Sequence, residues 1–335
     1  MSLKDILIMQ VPTGALKEII KREGFDAKLN STEDMADAVS SASPTIGWEL
    51  ADQFQFAGAT AVNIHVMMSG IPPEWHDIEY FKDYLIQKYT GSLFGKGIRP
   101  KLTNEPKLIK ARQLNGKIIL AFSYLGTPKR YLDDYQIVVR SPQLLEYVVV
   151  HFSPFSVEIR ASQTQNESFK QSVLKIMDIK EEVVWDKVTK LTDQQANELA
   201  RRLKARLRAA KHKMTEGVYA TKEVTAHTRV EDLESTEEYK KEFGDQPMKK
   251  KTLIFPYEYS FGFKDEISYV ITDEGLWFRS NVGEEVIMYV LNHILDIKYN
   301  QNNESEEILD EEETGEQQLA IELEQEEITE QVSLE

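Results

Sequence analysis

KIILAFSYLGTPKRYLDDYQIVVRSPQLLEYVVVHFSPFSVEIRAS, residues 117–162, is the stretch that decides the fold class. Four segments within it, KIILAFSYL (117–125), YQIVVRS (135–141), LEYVVVHFS (145–153) and SVEIRAS (156–162), are rich in β-branched and aromatic residues, which suit a pleated surface. The connections hold Gly126-Thr127-Pro128, Ser141-Pro142 and Ser153-Pro154. They are too short for the crossover of about a dozen residues that parallel pairing needs. An antiparallel meander of four strands is therefore expected.

Such a sheet must bury a face, and the chain that follows offers helices over Glu167 to Ile179, Glu181 to Val188 and Asp193 to Met214, the last capped by Thr192-Asp193. After a polar stretch at 215–248, strands return at TLIFPYEYSFGF (252–263), ISYVIT (267–272) and GLWFRSN (275–281), and a helix is expected from Glu284 to Leu295. Toward the amino terminus the apolar spacing is helical. Leu3, Ile6 and Leu7, then Leu16, Ile19 and Ile20, then Met35, Ala38 and Val39, a long segment from Trp48 to Val66, and Phe81, Tyr84 and Leu85 predict four to six short helices before Tyr89. The class is α+β: an all-helical amino-terminal domain over residues 1–90, a basic joint over 91–116, an antiparallel sheet with packed helices over 117–299, and a tail over 300–335.

Charge sharpens these boundaries. The 335 residues carry a net charge of −16, but residues 301–335 hold fourteen Asp or Glu and no Lys or Arg, which leaves residues 1–300 at −2. High like-charge density with no aromatic residue predicts a disordered tail, with Leu319, Ile321, Leu323 and Ile328 as its only apolar cluster. Residues 1–90 are net −6, and residues 91–130 reverse to +8 across Gly91, Gly95 and Gly97. A second basic run, 194–214, is net +6. Read as a helix, it has a stripe of Leu199, Leu203, Leu207, Ala210 and Met214, with its cations on the other face. The candidate phosphate contacts are therefore Lys96, Arg99, Lys101, Lys107, Lys110, Arg112 and Lys117, with Arg201, Arg202, Lys204, Arg206, Arg208, Lys211 and Lys213.

Catalytic signatures are thin. With no Cys there is no disulfide, no thiolate nucleophile and no thiolate metal site, and a reducing compartment is the natural reading. Gly-rich phosphate loops, a His-Glu-x-x-His helix and a Gly-x-Ser-x-Gly elbow are missing, and six histidines are scattered singly. Neither a cofactor nor a metal is expected. A nuclease built on strand carboxylates, Asp134, Glu146 and Glu158, is the enzymatic alternative, but Arg160 stands where such sites use a Lys. The apolar run near Leu144 to Phe155 is broken by Glu146, His151 and Ser153, so no membrane helix is expected, and the first residues do not form a signal peptide.

The layout resembles the centromere protein N family of kinetochore adaptors. VPTGALKEIIK (11–21) is similar to that family's early helix, YVVVHFSPFSVEIRAS (147–162) to its paired strands, and EFGDQP (242–247), followed by a strand and a final helix, to its carboxy-terminal stretch. The resemblance implies a death-fold (pyrin-like) helical domain, a groove beside the sheet that contacts DNA or chromatin, and pairing with a related subunit. Lys4 and Lys17 match the family's basic first helices, whereas Asp5 and Gln10 depart from them and the net −6 of residues 1–90 argues against histone recognition.

The combined reading is an intracellular, non-enzymatic adaptor, in the cytoplasm and nucleoid or in a nucleus. It binds DNA phosphates with low sequence specificity and recruits a protein partner or a second copy of itself. A protein-only interaction subunit is the alternative.

Overall fold

The structure, a computed structural model, describes residues 2–244 and 246–300. The expected acidic tail and its apolar cluster lie outside those residues. Four helices open the chain: α1 (Leu3–Gln10), α2 (Thr13–Glu23), α3 (Thr32–Ala42) and α4 (Pro44–Phe54). Local chemistry sets their ends. Ser2 and Asp5 form a reciprocal capping box on α1, Gly24 closes α2 in the left-handed region at φ 68°, and the Ser31 side chain caps α3. The buried stripe of Leu16, Ile19 and Ile20 on α2 and that of Met35, Ala36 and Val39 on α3 meet in one core.

After α4 the first departure from expectation appears. Residues up to Val66, read as helical, form strand β1 (Ala61–Met67) instead. Six of its seven residues are buried. Val62, Ile64 and Val66 alternate with Asn63 and His65 as a strand does, but the expected segment from Trp48 runs as one helix across the break that follows α4. Helix α5 (Ile78–Tyr89), capped by Asp77, follows, and then strands β2 (Lys107–Leu114) and β3 (Lys117–Leu125). Strands β4 (Lys129–Asp133) and β5 (Gln136–Arg140) pair only with each other, so the segment expected as the second strand of the meander forms a separate ribbon. Strands β6 (Gln143–Phe152) and β7 (Phe155–Arg160) rejoin the main sheet.

Helix α6 (Asn166–Ile176) comes next, as expected. The helix expected at Glu181 to Val188 is instead a short strand, β8 (Trp185–Lys187), paired with β1. Helix α7 (Asp193–Leu203) ends a full half-length before the expected Met214, and the remainder is strand β9 (Arg206–Lys213). Lys204 ends the helix in the left-handed region, at φ 52°. Its N–H closes on Ala200 and Arg201. A Leu or Ala every third or fourth residue satisfies a helical stripe, and nothing in the side chain of Lys204 signals the stop that Gly would have signalled. There follow β10 (Thr221–Thr225), α8 (Glu237–Phe243), β11 (Met248–Glu258), β12 (Lys264–Thr272), β13 (Gly275–Phe278) and α9 (Glu284–Leu295), the last with the expected bounds.

The main sheet is antiparallel in the order β10-β9-β11-β12-β13-β1-β7-β6-β3-β2, with β8 beside β1. The amino-terminal helices thus precede a large antiparallel sheet, an α+β architecture. Chain from either side of residue 90 shares that sheet, because β1 is one of its central strands and β2 is its edge. Register shows how the sheet is covered. Ile64 stands opposite Glu158, and His65 opposite Val157. Val62, Ile64 and Val66 of β1 point into the core made with α1–α4, α7 and α9, whereas Met67, Val157 and Ile159 point into the core made with α5 and α6. The helices therefore lie on one face over the β9–β13 half and on the opposite face over the β2–β7 half. The change of side falls at β1, and α4 and α9 reach past it onto the second half through Asp52 on Arg112 and Glu284 on Lys117 and Arg160.

Candidate nucleic-acid interface

The edge of the sheet at β2 is the more cationic of its two ends. The chain from Lys96 to Thr103 runs beside β2, held by Ile98 N–H donating to the Ile109 carbonyl at 2.7 Å and Leu125 N–H donating to the Thr103 carbonyl at 2.7 Å. Gly97 permits the approach: it has φ 80°, and a Cβ there would lie 2.7 Å from the Ile109 oxygen. Lys96, Arg99, Lys101 and Lys110 are exposed along this edge, and none has an acidic partner among the described residues. Lys107 is tied to Glu105 at 3.1 Å. Arg112 reaches Asp52 of α4 at 2.5 Å and lies over the Phe56 ring. Lys117 is buried and bonded to Glu284 at 2.5 Å, so it is not available to a phosphate.

In the second basic run, as in the first, three of the seven cations are ion-paired. Arg201 and Arg202 share Glu198 at 2.7 Å, and their hydrogen bonds hold that carboxyl down at about 2. Arg206 pairs with Glu231 and Glu266, and Arg208 donates to the backbone carbonyls of Val230 and Glu231. Lys204, Lys211 and Lys213 make no ion pair among the described residues. Because this run is strand and not helix beyond Leu203, its cations do not share one helical face. The two runs also do not form one groove: β9 and β2 stand second and tenth in the sheet, eight strand spacings or about 38 Å apart. The expectation of a single surface built from both is corrected by the strand order, which sequence proximity does not reveal.

Between the ends lies a buried charge cluster that the sequence reading missed. Glu158 and Arg160 of β7 and Lys117 of β3 face Glu284, the first residue of α9. Arg160 Nε donates to Glu158 at 2.6 Å, its Nη1 to Glu284 Oε1 and the Phe56 carbonyl, and its Nη2 to Glu284 Oε2 at 3.0 Å. His151 Nε2 lies 2.9 Å from Glu158 Oε2. Burial works to raise both carboxyls, but the charge of Arg160, with hydrogen bonds and Lys117, outweighs it, so both titrate below the usual carboxylate range. Two cations and two anions balance, and each is hydrogen-bonded. The cluster pins the α9 N-terminus to the sheet. A cavity of about 650 Å³ lies alongside, lined by Lys117, His151, Ser153, Glu284 and Tyr289 among others. The i and i+2 spacing of Glu158 and Arg160 on a strand, with an isolated Lys on a neighbouring strand, was the available sequence signal.

The carboxylates of the nuclease alternative do not converge. Asp134 is in the turn of the β4–β5 ribbon, Glu158 is locked to Arg160, and Glu146 points to the opposite face of the sheet, since Val149 and not Glu146 shares a face with Glu158. Among the described residues no three His, Asp or Glu side chains gather as a metal site. No helix among them is long and apolar enough to cross a membrane. Neither the protein-family models nor the curated proteins contain a match to this chain.

Proposed function

We propose that the chain is a non-enzymatic binding subunit that engages a polyanion, duplex DNA above all, through the β2 edge. One observation carries this reading: Lys96, Arg99, Lys101 and Lys110 project from one edge with no acid to neutralise them among the described residues. Unpaired exposed cations release condensed counterions from a phosphate backbone, whereas cations already bonded to Glu or Asp gain little by exchanging one anion for another. Lys204, Lys211 and Lys213 form a weaker second contact at the far end. Phosphate contacts position a protein without reading sequence, so specificity is low. The order of helical segment, antiparallel sheet and closing helix supports the likeness to the centromere protein N family, and with it an intracellular adaptor role.

Equilibrium binding of a labelled duplex to the full chain tests the proposal. Reversing Lys96, Arg99, Lys101 and Lys110 to Glu weakens binding at least about tenfold at low salt, whereas reversing Lys204, Lys211 and Lys213 costs less. Equal affinities for wild type and the four-residue variant would overturn it. A protein-only role is favoured by a different feature, the ribbon β4–β5 with Leu132, Ile137 and Val139 exposed.

A further inference from the structure

Residues 91–130 contain a single acid, Glu105, and it is bonded to Lys107. Lys129 and Arg130, at the start of β4, are exposed and make no ion pair among the described residues, so they add to the charge of Lys96, Arg99, Lys101 and Lys110. The hydrogen bond from Leu125 to Thr103 joins the chain leading into β4 to the path along the β2 edge. The β9 end is mixed instead: Glu223 stands opposite Lys211 in the β9–β10 register, and Lys222 is bonded to Glu242 at 2.9 Å. The described chain ends between the two. Ile297 is buried, Lys298 donates to Asp186 at 3.1 Å and to the Lys187 carbonyl at 2.9 Å, and the Tyr299 hydroxyl donates to Asp186 at 2.8 Å. Asp186 belongs to β8, beside β1, and β1 stands four strand spacings, about 19 Å, from β2 on one side and from β9 on the other.

We propose that residues 306–316, EEILDEEETGE, dock on the β2 edge of their own chain and compete there with a polyanion. The inference rests on the reading of that edge as the polyanion surface and names what regulates it. Seven of these eleven residues are acidic and none is Lys or Arg. Asp310 lies ten residues beyond Asn300, and ten residues reach at most about 33 Å, well over the 19 Å or so to the edge. Reach does not choose between β2 and β9, but charge does, because acids are interspersed with the cations at β9 and not at β2. A segment tethered this closely is present at an effective concentration on the order of millimolar, so individually weak ion pairs suffice to hold it. Fully extended, it carries about one charge per 5 Å, against one per about 1.7 Å on duplex DNA with its condensed counterions. The duplex therefore displaces it. The segment sets a threshold that a dense polyanion passes and a sparse one does not.

The chain has no Cys, so Thr314→Cys offers a single attachment point for a nitroxide label. In the full chain without DNA, at about 10 mM salt, the label broadens the amide resonances of residues 96–103 and of Lys110 more than those of residues 204–213. The broadening disappears when Lys96, Arg99, Lys101 and Lys110 are reversed to Glu. In a mixture of labelled chain with unlabelled, isotope-enriched chain, the enriched resonances stay sharp, because the contact lies within one chain. Changing the seven acids of residues 306–316 to their amides raises the affinity of the full chain for a labelled duplex at least about threefold at low salt, and the gain fades as salt rises. Broadening centred on β9, broadening passed from one chain to another, or no broadening in residues 2–300 would each overturn the proposal. A gain in affinity without broadening would be general repulsion of DNA by the acids, and equal duplex affinities would show that nothing is displaced; either overturns it too. Duplex binding by neither chain would overturn the function proposed above, while the broadening, read without DNA, still decides the docking.

Discussion

Glu284 is the residue on which the buried charges turn. It accepts from both Arg160 and Lys117, so Glu284→Gln leaves two buried cations facing Glu158 alone. The expected loss is about 3 kcal/mol in urea unfolding, well beyond that of an exposed acid. Glu158 and Glu284 titrate below the ordinary value of 4.5, so the stability they confer is complete above pH 4.5 and is lost as pH falls through their folded range. Glu146 works in the opposite direction. Burial pushes its carboxyl up to about 7, so the folded state holds a proton that the unfolded state has released between pH 4.5 and 7, and stability falls as pH rises across that window. Glu146→Gln is expected to stabilise the protein at pH 8 by about 1 kcal/mol, discounted for partial solvent screening, and to change little at pH 4. Urea midpoints of the variant and the wild type at the two pH values check this.

At the scale of elements, legibility followed composition and end signals. Strands β3, β6 and β7, both hairpin partners β11 and β12, and helix α9 were legible because β-branched runs and cap positions announce them. Strand β1 was not, since it was merged with α4 into one helical segment across the short break between them, and the end of α7 was not, since Lys204 occupies the left-handed position that Gly usually marks. That same residue yields a test. Lys204→Gly relieves the left-handed strain and is expected to raise stability by about 0.5–1 kcal/mol, read in urea unfolding. An unchanged midpoint would show that Lys204 contributes packing that offsets its backbone cost. The ribbon β4–β5 was read as a strand of the meander for a related reason: Ile137, Val138 and Val139 have the composition of a buried strand, yet the structure leaves Ile137 and Val139 exposed. Apolar composition identifies a strand without saying what covers it.

Across the whole molecule, the strand order decides what the charge runs can do. Sequence places Lys96 to Lys117 and Arg201 to Lys213 in two dense stretches, but it carries no information about which ends of a sheet they occupy. The structure separates them by eight strand spacings and ion-pairs three of seven cations in each. Lys117 shows the same limit in a single residue: it counts as a surface cation in the composition and serves as an internal counter-ion in the fold. Lys96, Arg99, Lys101 and Lys110 are exposed along the β2 edge, so a rod-like polyanion has access to them.

The most direct measurement is the salt dependence of duplex DNA binding by the full chain, with and without charge reversal at Lys96, Arg99, Lys101 and Lys110. Four phosphate contacts give a log–log slope of about −3 to −4, and the four-residue variant should lose most of that slope along with its affinity. A wild-type slope near zero, or one that the variant retains, would contradict the assignment of the β2 edge as the polyanion surface.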